Sequence, residues 1–290
     1  MTRAAIGIDV GGTKIAGAVV DLASGAILDR ARISTGADEG GAAVAARIGS
    51  LIAELQERAT GPLVGVGLGL PELVSAEGRV RSAYNCDLSG VDWAEVAAGL
   101  PVWLDSDVRC GARAEMHFGA GRPYGSFSYV SIGTGISAAQ VIGRHLHTGV
   151  NGFAIHFGSS DLLHFSPDGI EGRFNLEFAA SGQGLTEALG PRATLAEVLS
   201  GSLGRERQRY ATTAIRTMAS YLGQMVNMLD PEAMIVGGGL GLAPGYIPLL
   251  RESMPEFIWA EDCRGLPVLP AALGADSGAL GAAALWADQR

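Results

Sequence analysis

Three hydrophobic, strand-like runs in this chain each end in a cluster of glycines. The first run is closed by Asp9-Val10-Gly11-Gly12-Thr13-Lys14, the second by Gly133-Thr134-Gly135 and the third by Gly237-Gly238-Gly239. Glycine lacks a Cβ, so its backbone can adopt a positive φ and approach an anion closely. One such cluster fits an ordinary turn equally well, whereas three of them at strand ends favour an α/β fold that binds a phosphate or nucleoside there.

The first cluster has the residue types that hold a phosphate and its metal ion. Asp9 at the strand end can hold Mg²⁺ through water, and Thr13 and Lys14 can hydrogen-bond to phosphate oxygens. A plain β-turn with an incidental lysine is the alternative. The Walker motif G-x-x-x-x-G-K-[ST] does not occur, and the glycines after the first strand lack the G-x-G-x-x-G spacing, which excludes P-loop and Rossmann proteins.

The order of predicted elements indicates two α/β halves. The first half is predicted to contain strands at 4–10, 14–21, 26–34, 64–70 and 101–104 and helices at 42–59 and 108–118. The second is predicted to contain strands at 127–132, 136–143 and 233–236 and helices at 183–189, 194–201 and 205–229. A last helix over 278–287 should pack back on the first half. We therefore predict an N-terminal domain of residues 1–118 completed by 278–290, and a C-terminal domain of residues 119–277.

Charge and cysteine usage narrow the possible partners and compartment. The net charge of −9 excludes nucleic acid as the expected partner, because no basic stripe is present to neutralise phosphates. No apolar run is long enough to span a bilayer, and the chain enters its first strand without a signal peptide. The three scattered cysteines form no disulfide framework. We expect a cytoplasmic protein with neither a membrane nor a nucleic-acid partner.

Taken together, the three glycine clusters resemble those of the actin/hexokinase/Hsp70 ATPase superfamily and, within it, the ROK sugar kinases. The resemblance implies an α/β, two-domain actin-like ATPase fold, in which duplicated ribonuclease-H-like lobes enclose a central cleft. It implies ATP and Mg²⁺ as cofactors, a small sugar as substrate and a homodimer as the expected assembly. The resemblance also implies that Asp9 holds Mg²⁺ through water. It implies phosphate contacts by the residues of the first two clusters, namely Gly11, Gly12, Thr13, Lys14, Gly133, Thr134 and Gly135. The resemblance places Gly237, Gly238 and Gly239 against the adenosine.

Asp107 is the candidate general base. It stands in Leu104-Asp105-Ser106-Asp107-Val108, where the ROK pattern reads Asn-Asp-Ala, and Gly111-Ala112-Arg113-Ala114-Glu115 resembles the helix that follows the base. A carboxylate there can hydrogen-bond to the attacking sugar hydroxyl and accept its proton. The alternative is a helix N-cap, because aspartate often begins helices.

The sugar-binding residues implied by the resemblance depart from the family pattern. Ser106 stands where the family has an asparagine, His156 where it has a glutamate, and Ser159 where it has a histidine that binds sugar and zinc. Glu177 matches the second sugar-binding glutamate, and the predicted set is completed by Glu72 and Asn85. Glu72 occupies a position that is usually glycine. His156 also fits a loop histidine without a ligand role.

These departures predict a changed metal content and a changed substrate. The family's zinc-binding cysteines are missing, since residues 165–175 contain no cysteine, and structural zinc needs about four N or S ligands. We therefore expect no zinc. An extra carboxylate at Glu72 could face an amine, which favours an amino sugar of the kanosamine type. The predicted activity is ATP-dependent phosphorylation of a hexose or amino-hexose at the 6-hydroxyl. The alternatives are a catalytically weak sugar or nucleotide sensor and another acyl or sugar-phosphate chemistry on the same fold.

Overall fold

The structure is a computed structural model that describes residues 3–165, 168, 169 and 171–288. The chain forms two compact units. The first unit comprises Met1–Pro123, His145–Ile155 and Ala272–Arg290, and the second comprises Tyr124–Arg144 and His156–Ala271. The sequence analysis placed the boundaries between the two domains at 118/119 and 277/278. In the structure the first unit runs on to Pro123, resumes at Ala272 and includes 145–155, which the prediction gave to the second domain.

The strands are numbered in the order in which they follow one another along the chain. They are β1 (Ala4–Val10), β2 (Lys14–Asp21), β3 (Ile27–Ser34), β4 (Leu63–Leu70), β5 (Val102–Ser106), β6 (Phe127–Ile132), β7 (Ile136–Ile142), β8 (His145–His147), β9 (Asp161–Phe165), β10 (Glu171–Asn175), β11 (Ala233–Gly237) and β12 (Val268–Pro270).

The α-helices are numbered in the same way. They are α1 (Gly41–Arg58), α2 (Trp93–Val96), α3 (Asp107–Phe118), α4 (Leu176–Ala180), α5 (Gly182–Leu189), α6 (Leu195–Leu199), α7 (Arg205–Leu229), α8 (Tyr246–Ser253) and α9 (Ser277–Ala283). Short 3₁₀ helices lie at Ala37–Glu39, Met254–Phe257, Glu261–Cys263, Gly274–Asp276 and Ala284–Trp286.

The first unit is built on a five-stranded sheet of order β3-β2-β1-β4-β5. β2 runs antiparallel to β1 and β3, while β4 runs parallel to β1 and to β5. Helix α1 buries the apolar stripe that the sequence predicts, and this confirms its helical periodicity. The residues of that stripe are Val44, Ile48, Leu51, Ile52 and Leu55.

Helix α9 packs on β1, β4 and α3 at backbone distance because glycines line the contact. A Cβ on Gly7 would lie 1.9 Å from the Ala279 carbonyl oxygen, and one on Gly67 would lie 1.8 Å from that of Ala282. On the helix itself, a Cβ on Gly281 would lie 1.7 Å from the Cys110 carbonyl oxygen. Any side chain at these three positions would push α9 away. The predicted last helix is thus present, although its final turn, Ala284–Trp286, is 3₁₀ rather than α.

In the second unit four strands are ordered β12-β11-β6-β7. β11 runs parallel to β6 and β12, and β7 runs antiparallel to β6. Strands β5-β4-β1-β2 of the first unit have the same order and directions, so the two units share one topology. Helix α7 spans the predicted 205–229 and buries one face in the core. The β9–β10 hairpin, α8 and β12 were not predicted. The three strands are only three to five residues long, whereas α8 does carry an apolar stripe, at Tyr246, Ile247 and Leu250, that the sequence analysis overlooked.

None of the helices in the described residues combines the length and the apolar character needed to cross a membrane.

Candidate functional site

Three residues form a row across the parallel strands of the first unit, at their carboxyl ends. Asp9 of β1 pairs with Gly69 of β4, which pairs in turn with Asp105 of β5. A Cβ on Gly69 would lie only 3.7 Å from the Asp107 Cα, so the start of α3 packs directly on β4. The carboxyl ends of parallel strands are the usual ligand-binding edge of α/β sheets. The strand ends thus gather Asp9 and Asp107 at such an edge.

Asp107 is the first residue of α3. It is exposed at the surface of the first unit, yet protein atoms crowd its carboxyl group, and this desolvation raises its pKa to about 7. The carboxylate of Asp9 raises the pKa further, those of Asp105 and Glu72 add to it, and the Val108 amide opposes the shift by donating to Asp107 Oδ1 at 2.6 Å. The N-cap of α3 is Ser106, so the alternative that Asp107 is the N-cap is wrong, although Asp107 does begin the helix. A carboxylate poised near neutral pH nevertheless suits a general base.

Asp9 is half-buried, and its burial raises its pKa to about 6, while the positive charge of Lys14 opposes the shift. A Cβ on Gly278 of α9 would lie 2.3 Å from the Asp9 Cγ, so glycine there makes room for this carboxylate. The negative charge of Asp9 raises the proton affinity of Asp107. Such a pair of carboxylates suits a divalent cation, and Mg²⁺ is commonly held by one or two carboxylates plus phosphates. The first unit therefore fits the predicted Mg²⁺.

The turn between β1 and β2 is held by a residue that the sequence did not single out. Thr35 is buried; its hydroxyl donates to the Gly11 carbonyl at 2.6 Å, and its amide donates to the Thr13 carbonyl at 3.1 Å. The Gly11 amide donates to the Lys14 carbonyl at 2.9 Å. Thr35 directly follows Ser34, the last residue of β3, and a pair of hydroxyl residues at a strand end is too common in sequences to mark it.

The paired glycines of this turn do not have the positive φ that the sequence suggested for them. Neither Gly11 nor Gly12 has a positive φ, so that part of the prediction is wrong. A Cβ on Gly12 would meet open space, and one on Gly11 would lie 3.1 Å from the Lys14 carbonyl oxygen. Gly12 thus leaves the exposed backbone accessible rather than permitting an unusual conformation, which is what close approach of an anion requires.

The second unit brings the two later glycine clusters together. Gly238 has a φ of 81°, and a Cβ there would lie 2.4 Å from the Ile132 backbone, so only glycine fits. A Cβ on Gly133 would lie 4.0 Å from the Gly239 amide nitrogen, and one on Gly239 would meet open space. Gly238 therefore serves the fold, whereas Gly133 and Gly239 border space that a ligand could fill.

The Gly133-Thr134-Gly135 turn is supported from behind by two helices. At the start of α5 the Gly182 amide donates to the Gly133 carbonyl at 2.7 Å, and Glu177 of α4 accepts from the Ile136 amide at 2.7 Å. A Cβ on Gly135 would lie 2.8 Å from Glu177 Oε2, so this glycine makes room for the carboxylate. Glu177 is thus anchored beside the predicted phosphate turn.

The predicted sugar-binding residues of the second unit lie near one another. His156 Nδ1 lies 3.3 Å from Ser159 Oγ, and both residues are exposed. Partial desolvation lowers the pKa of His156, and the negative charge of Glu177 opposes that shift. His156, Ser159 and Glu177 therefore form one polar group, whose contact with a sugar stays a prediction.

Glu72 does not fit the role predicted for it. It is 3% exposed, and its carboxylate already accepts four hydrogen bonds. The donors are the Ser82 hydroxyl at 2.5 Å and the amides of Tyr84 at 2.8 Å, Asn85 at 2.6 Å and Cys86 at 3.2 Å. An ionised carboxylate has about four acceptor positions, so no oxygen lone pair is left for a substrate amine. Glu72 organises the 82–86 segment instead.

The structure places Ser106 and Asn85, two predicted sugar-binding residues, in different surroundings. The Ser106 hydroxyl is fully buried and, within the described part of the chain, has no hydrogen-bond partner. Its contact with a sugar stays a prediction that nothing in this geometry supports. Asn85 is exposed, and its side-chain nitrogen donates to the Pro71 carbonyl at 2.7 Å. Its carboxamide oxygen thus stays a candidate for sugar binding.

The predicted absence of zinc concerns a region only partly described. Residues 166, 167 and 170, within the cysteine-free segment, lie outside the described residues. In the part of the chain that the structure describes, no group of three or more His, Cys, Asp or Glu side chains could hold a metal ion. The absence of zinc stays a prediction, which metal analysis of the purified protein tests.

Comparison with known proteins gives one family. A model of the ROK family matches residues 5–289. A glucokinase of Streptomyces coelicolor is 30% identical, with 97% of this chain and 96% of that protein covered. The chain spans only 54% of another relative, the bifunctional enzyme NanE/NanK of Brucella melitensis, which is 28% identical over 97% of this chain.

Solved structures agree with this assignment. A ROK hexokinase from Thermus thermophilus matches with a TM-score of 0.81 and 29% identity, covering 99% of this chain and 100% of that chain. A ROK family glucokinase from Streptomyces griseus, solved with glucose and AMPPNP, matches with a TM-score of 0.76 and 28% identity, covering 97% and 98%. The predicted α/β, two-domain actin-like fold is thereby confirmed, and the chain belongs to the ROK family.

Proposed function

We propose that this protein is an ATP-dependent sugar kinase in which Asp107 is the general base. The observation that carries the proposal is the position of Asp107 at the carboxyl ends of β1, β4 and β5, next to Asp9 and with a pKa of about 7. A solved relative that binds glucose and AMPPNP supports ATP and a sugar as the two substrates. Asp107 accepts the proton of the attacking hydroxyl as the phosphoryl group is transferred.

Nucleotide binding falls to the glycine-rich turns and to Thr13 and Lys14. Gly12 and Gly239 border open space, so main-chain amides there can approach phosphate and adenosine closely. Lys14 and Thr13 are exposed and add charged and neutral donors to phosphate oxygens. Asp9 would hold Mg²⁺ through water, and the ion would neutralise charge on the phosphates during transfer. Ionised Asp9 also repels the charge of Asp107 and keeps that residue basic.

The acceptor is proposed to be a hexose or N-acylated hexosamine phosphorylated at its 6-hydroxyl. The preference for a free amino sugar rested on Glu72, whose carboxylate is fully occupied by protein donors, and it is not retained. Asn85, His156, Ser159 and Glu177 are the side chains proposed to recognise the sugar. Relatives named glucokinase and N-acetylmannosamine kinase set the range of substrates.

A substrate screen tests the proposal. Purified protein with ATP and Mg²⁺ is mixed separately with hexoses, N-acetylhexosamines and free amino hexoses, and ADP release is measured. We expect one sugar of the first two classes to be turned over, with the product phosphate on the 6-oxygen by NMR. A protein that binds a sugar but releases no ADP with any of them is a sensor, and the kinase proposal then fails.

A further inference from the structure

Ionisable side chains follow one another at four-residue spacing along α3, starting at Asp105, just before the helix begins. Asp105 accepts hydrogen bonds from Arg109 Nε and, at 3.0 Å, from Arg113 Nη1. Arg113 Nε donates to Asp288 at 2.7 Å, and His117 Nε2 lies 2.8 Å from the same carboxylate. The two arginines and Asp105 are buried. The proposed base itself takes no part in this network.

Arg109 differs from Arg113 in what its guanidinium reaches. It is 1% exposed, and it donates through Nη1 to the Gly152 carbonyl and through Nη2 to the Val74 carbonyl at 2.9 Å. These two carbonyls belong to two loops, residues 71–76 (the 71–76 loop) and residues 149–153 (the 149–153 loop). Arg109 thus joins both loops to the helix whose first residue is Asp107.

The two loops are also seated against each other. Gly152 has a φ of 84°, and a Cβ on it would lie 2.5 Å from the Ala76 amide nitrogen. The Ala76 amide donates to the Asn151 carbonyl at 3.3 Å. In sequence, the 71–76 loop leads to Asn85 and the 149–153 loop leads to His156. We call the contact between these two loops the loop junction. A change in the loop junction therefore shifts the start of both chain segments that carry proposed sugar-binding residues.

Stability alone does not account for Arg109. Burying ions costs solvation energy, and well-packed apolar residues often replace a buried ion network without loss of stability. Apolar residues cannot replace a planar guanidinium group, which donates hydrogen bonds from three nitrogen atoms in different directions. Lysine cannot replace it either, because its donors all lie on one nitrogen atom. Arg113 is similarly buried and shares Asp105, but its hydrogen bonds go to Asp105 and Asp288 rather than to either loop.

We propose that Arg109 is a positioning residue that sets the sugar site, by fixing the 71–76 and 149–153 loops to the helix that begins with Asp107. The inference rests on the proposed kinase function. Its role is indirect, because the guanidinium is buried and occupied by protein acceptors; it holds the two loops that lead to Asn85 and His156 against the helix that begins with Asp107.

Arg109→Lys and Arg113→Lys form the matched pair that tests this role. Both changes keep the charge beside Asp105, but only the first removes the contacts with the loops. Because misplacement of positioning groups by about 1 Å can cost up to about 10²-fold, we expect Arg109→Lys to raise the KM for sugar about tenfold or more. The KM for ATP should change much less, and kcat should fall less than the sugar KM rises. Arg113→Lys should lower Tm at least as much, with the sugar KM close to that of wild type.

Gly152→Ala disturbs the same loop junction from the side of the 149–153 loop. It provides a second test of the positioning role if Arg109→Lys folds poorly. Its Cβ would displace the 149–153 loop from Ala76, so the sugar KM should rise again with the KM for ATP preserved. Because both variants disrupt the loop junction, the double variant should show clearly less than the product of the two single effects. Equal increases of the sugar KM in Arg109→Lys and Arg113→Lys, or fully multiplicative effects in the double variant, would overturn the positioning role.

Hydrogen exchange separates this proposal from the proposed function. In substrate-free protein the amides of Ala76 and Gly152 should exchange faster in Arg109→Lys than in wild type, and no faster in Arg113→Lys. If the wild-type enzyme phosphorylates its sugar but amide exchange is unchanged in Arg109→Lys, the positioning role of Arg109 is wrong and the kinase function stands. A wild-type protein that phosphorylates no sugar removes the kinase function and, with it, the sugar-site role, even where the exchange data show that Arg109 fixes the loops.

Discussion

The β1–β2 turn of the first unit and the β6–β7 turn of the second occupy the same place in one strand order, yet they differ in chemistry. The first turn is flanked by Asp9 and ends in Thr13 and Lys14, whereas the second is Gly133-Thr134-Gly135 with no charged residue. Both leave backbone open to a ligand. One topology thus offers two turns at which we propose that backbone amides contact phosphate. Charged residues lie within the first turn only, and Glu177, beside the second, already accepts from the Ile136 amide. We infer that the first turn and the base of its unit supply charge and proton transfer, and that the second turn supplies neutral contacts.

The largest effect should come from the base of the first unit. Asp107→Asn removes the proton acceptor and should lower kcat by about 10²-fold or more, with little change in the KM for ATP. Asp92→Asn is a control, because Asp92 is the N-cap of α2, where it accepts from the Ala94 amide at 3.0 Å, and it has no proposed role in the chemistry. If Asp107→Asn retains activity within a few-fold of wild type, Asp107 only begins a helix.

The pH dependence should come from the first unit as well. The pKa of Asp107 is raised to about 7, so the carboxyl group is protonated and inactive as a base below that pH. The kcat/KM for sugar should therefore rise as pH increases towards about 7 and level off above it. Steady-state rates from acid to mildly alkaline pH test this. A flat profile in wild type, or the same rising limb in Asp107→Asn, would contradict the assignment.

Alanine substitutions in the two turns measure directly how much a charged and a neutral side chain contribute to ATP binding. Lys14→Ala removes a charged donor and should raise the KM for ATP by about tenfold, because charge-assisted hydrogen bonds are roughly twice as strong as neutral ones. Thr134→Ala removes a neutral hydroxyl and should raise it less. In both variants the KM for sugar should move less than that for ATP. The comparison of the turns breaks down if Thr134→Ala is the more damaging change.

Two neighbouring glycines of the second unit should separate binding from folding. Gly239→Ala adds a methyl group to open space, so it should raise the KM for ATP a few-fold and leave Tm unchanged. Gly238→Ala meets the Ile132 backbone at positive φ and should cost about 1–3 kcal/mol of stability. Thermal unfolding and ATP kinetics on both variants are the measurements. A loss of Tm in Gly239→Ala would show that it, too, serves only the fold.

The smallest effect on substrate choice is expected at Glu72. Glu72→Gln replaces one acceptor oxygen with a donor that faces backbone amides, and an unsatisfied buried polar group costs about 1–3 kcal/mol. Tm should fall, while the ratio of activities on hexose and amino hexose stays the same. A selective loss of activity on a free amino sugar would restore the role first predicted from the sequence.

The sequence predicted what depends on neighbours along the chain. The strand ends, the glycine clusters and the start of α3 at Asp107 are local patterns, and the elements that carry them lie close to their predicted bounds. Glu72 was misjudged because its donors lie on a later segment, 10 to 14 residues away, and nothing in the sequence says that this segment folds back over the carboxylate. Arg109 passed unnoticed for the same reason, since one of its carbonyl partners is 43 residues distant. The empty surroundings of Gly12 and Gly239 are equally invisible until the backbone is known.

The packing of α9 has a consequence for how the protein is made. The helix that rests on β1 and makes room for Asp9 comes from the last part of the chain, after the whole of the second unit. During synthesis the second unit emerges complete, while the sheet of the first unit still lacks the helix that covers one of its faces. Domains generally fold as units as they leave the ribosome. The surroundings of Asp9 therefore take their final form only once α9 has followed the second unit out of the ribosome, although the turn itself is held earlier in the chain by Thr35.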